Sequence, residues 1–482
     1  MAGIIGWGAY VPHWRLERSA IAAALGTSGG KGTRSVASYD EDTTSLAVEA
    51  ARRALGANSV TSPDAVTFAT TAPAYLDKTN AATIHAALAL DPAVAAFDFL
   101  GSVRSSAGAF VAAWQAAVAG TRTLVALADI RTGLPGGADE RDGGDGAAAL
   151  LIGDDAAADV LATSHISREF LDRWRAVGAD VSSRWEERFG ETAYVPMAMT
   201  AVEDCLKRAG VTAADIDHVA VVGSHDRAVR RTRESLGLRT DVGVVDLGAD
   251  LGNTGAAALG IALSDILDRA EPGQHVLLVS LADGADAVVL RTTPVLTSIQ
   301  EHHRERGLPT VGNQVAGGRC DVPYPTFLTW REMLRREPPR RPDPVAPTAP
   351  PALRREQWKY GFFGTECTQC GTRHLPPARV CVGCRTTDSM APIRLADLRA
   401  TVATFTIDRL AYTLSPPVVA AVIDFDGGGR FSCELTDLDP SEVHIGLRVE
   451  MTFRNLYTAD GVRNYFWKAK PLRTSEQTGR NS

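Results

Sequence analysis

The sequence predicts an α/β protein: a duplicated β/α domain over residues 1–297, then a four-cysteine metal knuckle, then a small all-β barrel. Three observations carry this. Residues 1–297 repeat a pattern of amphipathic helix, short Thr/Asp-bearing loop and β-branched strand. Cys367, Cys370, Cys381 and Cys384 fall as C-x2-C, ten residues, C-x2-C, and in that spacing two short knuckles each offer two thiolates to one tetrahedral zinc ion. Five strand signals then crowd the stretch after the knuckles.

The repeat has three pairs. "TSLAVEAARRALGANSVTSPDAVTFATTA" matches "VPMAMTAVEDCLKRAGVTAADIDHVAVVGSH", each a helix leading to a strand. "FDFLGSVRSSAGAFVAAWQAAVAG" matches "VVDLGADLGNTGAAALGIALSDIL", each a strand, a Gly-rich corner and an Ala-rich helix. "TRTLVALADI" with "GAAALLIGDD" matches "GQHVLLVSLADGADAVVLR", near-continuous apolar strands suited to a sheet covered on both faces. The two halves are placed at 1–165 and 166–297. In the segment 298–349, "YPTFLTWREMLRR" has the pattern of a short amphipathic helix, and "EPPRRPDPVAPTAPPALRRE" is a stiff, exposed linker whose arginines solvate it. Residues 350–392 form the knuckles. Residues 393–475 hold the strands "LRATVATFTI", "PPVVAAVIDF", "RFSCEL", "LRVEMTFRNL" and "RNYFWKAKPL", with a hairpin turn at Asp426-Gly427-Gly428-Gly429. Five such strands fit an OB-type barrel; 476–482 is a tail.

Composition narrows the function. A chain of 482 residues predicts two to four domains. A net charge of −7 argues against a dedicated nucleic-acid binder. The start "MAGIIGWGAYVPHWRL" lacks the basic and apolar regions of a signal peptide, and no run of about 18 apolar residues occurs. A soluble, cytoplasmic protein without a membrane partner is expected. The isolated Cys205, Cys320 and Cys433 are read as small buried hydrophobes. Asp40, Glu41 and Asp42 are read as acids opening a helix, where its dipole favours them.

Four segments, "GIIGWGAYVPHWRL", "DEDTTSLAVEAARRAL", "RFGETAYVPMAMTAVEDCLKRAGVTAADIDHVAVV" and "LGNTGAAALGIAL", resemble the thiolase superfamily, most closely its hydroxymethylglutaryl-CoA synthase and ketoacyl synthase III branch. Residues 350–475 resemble the rubredoxin-like zinc-ribbon and OB-fold family that partners thiolase-like proteins and is associated with acyl-CoA. The resemblance implies an αβαβα fold, a coenzyme A thioester as substrate, a homodimer, and other thiolase-pathway enzymes as possible partners. It also implies a reacting cysteine at the end of the first-half helix, where helix N–H groups lower its pKa and hold an oxyanion. Val103 stands there instead. Thr71 stands at the position of the branch's catalytic glutamate. An ungapped match puts Val222 at the position of its histidine, with His225 three residues on. The asparagine that donates to the thioester carbonyl is kept as Asn253.

Each candidate has a plainer reading. The zinc site is structural, since four thiolates leave no open position for water or substrate. Asn253 is either the oxyanion donor or a helix cap. His225 is a catalytic histidine or a loop histidine without a role. Ser102 is a weak nucleophile candidate, because a serine needs a paired base and none can be named from sequence. Arg227, Arg230 and Arg231 either meet CoA phosphates, for which forked donors are suited, or form a solvated helix face. The expected activity is a carbon–carbon bond step beside a CoA thioester without an acyl-cysteine, as an aldolase or retro-aldolase. The alternatives are a non-catalytic acyl-CoA-binding scaffold and a hydroxymethylglutaryl-CoA synthase-like acyltransferase using Ser102.

Overall fold

The computed structural model describes residues 1–27, 30–56 and 62–473. Its main sheet has ten strands, made of two copies of one five-strand order. From one edge, the first copy runs Ala95–Leu100, Ala65–Thr70, Thr123–Asp129, Gly146–Gly153 and Gly3–Tyr10. From the other edge, the second runs Gly243–Val245, His218–Gly223, His275–Leu281, Gly284–Thr292 and Ala158–Ser167. In each copy the outer three strands are parallel and the inner two join antiparallel. The copies meet where Gly3 pairs with Asp159 and Ile4 with Ala158. A Cβ on Gly3 would lie 2.0 Å from the Ala158 carbonyl oxygen, so the junction requires glycine.

Helices cover both faces of this sheet, which is why the strand "GAAALLIG" is buried at every position. The Ala-rich helices Ser105–Val118 and Ala258–Arg269 share one core, through Phe110, Ala113, Leu259 and Leu263, with strands of both copies. Helix Thr43–Gly56 lies on the outer face of the first copy, and Glu187–Ala209 on that of the second. The result is the five-layered αβαβα arrangement.

Beyond the sheet, the short helix is Tyr324–Trp330, which buries Tyr324, Phe327 and Trp330. Residues 335–348 contain neither helix nor strand. Strands Phe363–Cys367, Arg373–His374 and Met390–Arg394 frame the knuckles. Strands Arg399–Asp408, Val418–Phe425, Arg430–Leu435, Arg448–Ala459 and Val462–Pro471 close into a barrel.

The barrel docks on helix Thr43–Gly56, and its Phe453, Tyr465 and Trp467 share a core with Leu46, Ala50 and Ala54. A buried charge network crosses the seam. Arg454, 0% exposed, pairs with Asp40 at 3.3 Å, Glu41 at 2.7 Å and Asp437 at 2.5 Å. Lys468 pairs with Asp40 and Lys470 with Glu49, both at 2.9 Å, while the Tyr465 hydroxyl donates to Asp42 at 2.5 Å. Burial pushes Glu41 up to about 7 against the pull of Arg454, whereas Lys468 and Arg454 overcome burial at Asp40 and hold it well below the usual carboxylate range. The helix-opening expectation holds for Asp42, whose Oδ1 accepts the Ser45 N–H at 2.8 Å at the start of the helix that begins at Thr43, and is corrected for Asp40 and Glu41; all three acids also dock the barrel. The cysteine expectation holds for Cys205 alone, since Cys433 is half-buried. Cys205 is buried, but Cys320 is exposed.

Candidate active site

Parallel strands place ligand-binding loops at their carboxyl ends. Here Thr71, Asp129, Ser224 and Asp283 follow or end four such strands, two from each copy. The two Ala-rich helices start at the same end, preceded by Ser102-Val103-Arg104 and by Asn253-Thr254.

Ser102 has a partner that sequence could not name. Its Oγ donates to Asp283 Oδ2 at 2.6 Å and accepts the Arg104 N–H at 3.1 Å. Arg104 in turn donates to the Asp283 carbonyl at 2.9 Å and pairs with Asp286 at 3.0 Å, which ties this corner to the second copy. Asp283 holds φ of 48°, a left-handed conformation that aspartate tolerates better than most residues.

Thr71, at the glutamate position, donates to Asp129 at 2.7 Å. Asp129 is fully buried and also accepts from the Ala256 N–H at 3.0 Å. A Cβ on Gly255, at φ 56°, would lie 2.0 Å from Asp129 Oδ2, so glycine is required where the second helix begins. In the aligned repeat, "VALAD" and "VSLAD" make Asp129 and Asp283 equivalent, each bonding a hydroxyl on the loop beside it. That pairing was the sequence signal for both.

Asn253 is held at both ends of its amide: Nδ2 donates to the Gly223 carbonyl at 2.5 Å and Oδ1 accepts from Gly255 at 2.9 Å. The contact with Gly255 is the cap, and because an amide nitrogen carries two hydrogens and the contact with Gly223 uses one, one hydrogen is left over. His225 is 2% exposed and lies behind Asp172, to whose Oδ2 its Nε2 is bonded at 2.6 Å; Tyr194 donates to the same oxygen at 3.0 Å. Asp172 borders the space next to Ser102, and its Oδ1 has no hydrogen-bond partner among the described residues. The structure thus brings Asp172 to that space, with the imidazole behind it.

Three spaces that share lining residues run through the site. A cavity of about 530 Å³ has Val222, Val229, Leu247 and Ile261 on its walls with Asn253, and carries Arg18, Arg230 and Arg233. A neck of about 30 Å³ shares Asn253 with it and is flanked by Arg131, Arg173 and Arg184. An inner pocket of about 80 Å³ shares Arg131 and Arg173 with the neck and is bordered by Ser102, Val103 and Thr71. The hairpin Arg173–Trp174 and Ser183–Arg184 that covers the neck was not foreseen; Asp139 anchors it through Arg173 at 2.6 and 2.8 Å. Of the predicted phosphate ligands, Arg230 lines the large cavity, Arg227 is exposed, and Arg231 is exposed and pairs with Glu234 at 3.4 Å.

The four knuckle sulfurs lie within 4.8 Å of one another. Bonds of about 2.3 Å to a tetrahedral zinc would put sulfurs about 3.8 Å apart, and Cys367 to Cys384 is 3.6 Å and Cys370 to Cys381 is 3.5 Å. The donor set fits zinc.

The layered duplication, with an active-site corner in each copy and a ribbon-bearing barrel behind, defines a thiolase-like protein of the synthase type. Residues 206–292 match the 3-oxoacyl-[acyl-carrier-protein] synthase III C-terminal family, and 393–454 match the ChsH2 C-terminal OB-fold domain. The chain is 31% identical to a hydroxymethylglutaryl-CoA synthase of Methanosphaera stadtmanae over 310 residues, 61% of this chain and 88% of that protein. It is 28% identical to the Thermoplasma acidophilum synthase, covering 69% of this chain and 98% of that one. The chain belongs to the hydroxymethylglutaryl-CoA synthase family. The fold is shared with a crystal structure of HMG-CoA synthase complexed with CoA, at 18% identity and a TM-score of 0.57 over 68% of this chain and 89% of that one. The relatives are synthases, so the aldolase expectation gives way to the synthase-like alternative. Among the described residues no helix is long and apolar enough to cross a membrane.

Proposed function

We propose that the protein is an acyl-CoA condensing enzyme of the hydroxymethylglutaryl-CoA synthase type in which Ser102 takes the place of the acyl-bearing cysteine. The hydrogen bond of 2.6 Å from Ser102 to Asp283 carries this reading, because it supplies the paired base that a serine nucleophile requires. Ser102 Oγ attacks the thioester carbonyl as its proton passes to Asp283. The carbon–sulfur bond breaks, and the CoA sulfur leaves with that proton. The resulting acyl ester loses an α-proton to Asp172, which His225 and Tyr194 hold in place. The carbanion attacks the β-ketone carbonyl of acetoacetyl-CoA, the alkoxide formed takes that proton back from Asp172, and water cleaves the serine ester to release the product as a free carboxylate and restore Ser102. Asn253 donates its second amide hydrogen to the oxyanion.

In this reading the 530 Å³ cavity takes the apolar arm of CoA, with Arg230 toward its phosphates. Zinc holds the two knuckles together and supplies no chemistry to the condensation. Dimerisation is proposed through the sheet-edge strand Ala95–Leu100, whose Phe97 is 59% exposed.

Intact-protein mass spectrometry with acetyl-CoA and acetoacetyl-CoA tests the proposal. One acyl mass is expected on the protein and is absent from Ser102→Ala and slowed in Asp283→Asn. Thermal stabilisation by either thioester with no adduct would overturn the serine step. Stabilisation with neither adduct nor turnover would return the protein to the scaffold alternative.

A further inference from the structure

We propose that the cleft between the αβαβα domain and the barrel is a second ligand site, for a nucleoside phosphate. The cleft encloses about 480 Å³, within the range of pockets that hold small organic ligands. It shares no lining residue with the three spaces around Ser102 and Asn253.

Its charge is what points to an anion. Arg53, Arg306, Arg399 and Arg473 all line it, and among the described residues none of them makes an ion pair. They are held in place by neutral groups: Arg53 by the Ala9 carbonyl and Gln314, Arg306 by the Gly56 carbonyl, Arg399 by the Arg306 carbonyl, and Arg473 by His13 and the Asp437 carbonyl. The lining carboxylates are already neutralised. Glu49 pairs with Arg52 and Lys470, Asp397 with Arg52, Asp426 with Arg448, Asp437 with Arg454 and Glu450 with Lys470; only the exposed Glu305 has no ion pair among the described residues. Burial draws the Arg53 and Arg473 guanidiniums below their ordinary range, with Glu450 and Glu49 offsetting it only in part at Arg53 and Asp437 and Glu442 at Arg473. Forked donors in that state suit phosphate oxygens.

Two other features say what the phosphate is attached to. Leu308, Leu398 and Leu472 supply apolar wall suited to a flat base. Asp437 is 3% exposed, and its Oδ1 has no hydrogen-bond partner among the described residues, so it can accept from a ribose hydroxyl or a base amino group. Anion donors, an apolar wall and one unmet acceptor together describe a nucleotide better than they describe inorganic phosphate.

Calorimetry of the full chain with ADP tests this, with pyrophosphate and adenosine as fragments. ADP should bind, pyrophosphate should displace it, and adenosine should bind at least tenfold more weakly than ADP. Arg306→Ala with Arg399→Ala, both at exposed positions, should weaken ADP at least tenfold while leaving the melting temperature of the ligand-free protein in place. Arg473→Gln, just after the barrel's last strand, provides a second variant, and should also weaken ADP. Absence of ADP binding by the folded wild type would overturn the proposal. So would adenosine binding as tightly as ADP, or ADP binding that is lost in Arg230→Ala and kept in the cleft variants.

Discussion

Replacing Arg454 with methionine isolates the electrostatics of the seam, because the side chain keeps its bulk and loses its charge. Arg454 is 0% exposed and faces Asp40, Glu41 and Asp437, themselves buried. Removing one partner of a buried pair leaves uncompensated charge and costs about 3–5 kcal/mol. Lys468 still serves Asp40 at 2.9 Å, so the loss falls mainly on Glu41 and Asp437. The dependence on pH follows from Glu41. Its folded value, about 7, stands above its ordinary 4.5, so the folded state binds more protons than the unfolded state between those values. Stability from this group is therefore present at low pH and falls as pH rises through the window. Without Arg454, which pulls Glu41 down, Glu41 is pushed higher still, and the deficit of the variant grows with pH. Urea unfolding followed by tryptophan fluorescence, to which Trp467 in the shared core contributes alongside the chain's other seven tryptophans, reads it. The expected loss is about 3–5 kcal/mol at pH 8, shrinking by up to about 1.4 kcal/mol at pH 6, the equivalent of one pKa unit. A loss under about 1 kcal/mol at pH 8, the size typical of an exposed pair, would refute the reasoning, as would an equal loss at both pH values.

Three further outcomes are expected. Asn253→Ala should lower turnover of acyl-CoA by about 10²–10³, the range for one lost oxyanion donor, while lowering stability by only about 1 kcal/mol through the lost cap; equal falls in both, measured by steady-state kinetics and urea melts, would leave Asn253 a cap alone. Elemental analysis should find one zinc per chain, and Cys381→Ser should release it and expose the ribbon to protease; a metal-free, protease-resistant wild type would exclude the site. Among the cysteines outside the knuckles, Cys320 should react first with an aromatic disulfide reagent, since burial pushes Cys205 and Cys433 up to about 12 and Cys320, though also raised by burial, is the exposed one; early modification of the buried Cys205 would refute this order.

Much of the architecture was legible because it rests on local periodicity. The matched pairs of helix and strand segments foretell two copies of one sheet order, and the five strand signals after the knuckles are the five strands of the barrel. The four cysteines were legible for a similar reason, since a knuckle closes on itself within a few residues. At the site, Asn253 could be picked out from "GNTG" beside an Ala-rich helix. Asp172 could not, because its segment has no period and its bond to His225 spans 53 positions. The hairpin over the neck consists of two strands of two residues each, too short to show a pattern.

The sequence by itself determined which segments become strands and helices, that they come in duplicate, and that cysteine chemistry is missing from the corner where Val103 stands, since each follows from residue identity and short-range spacing. Only the tertiary structure decided which charges meet. Ser102 and Asp283 are 181 positions apart, and Arg454 and Asp40 are 414. Hydrogen bonds of this length tolerate errors of a few tenths of an ångström, whereas their partners are set by every strand register and loop path between them. The acids before Thr43 look like a helix opening in one dimension. In three dimensions Asp42 does cap that helix, and all three are also the counter-ions of a barrel encoded four hundred residues later.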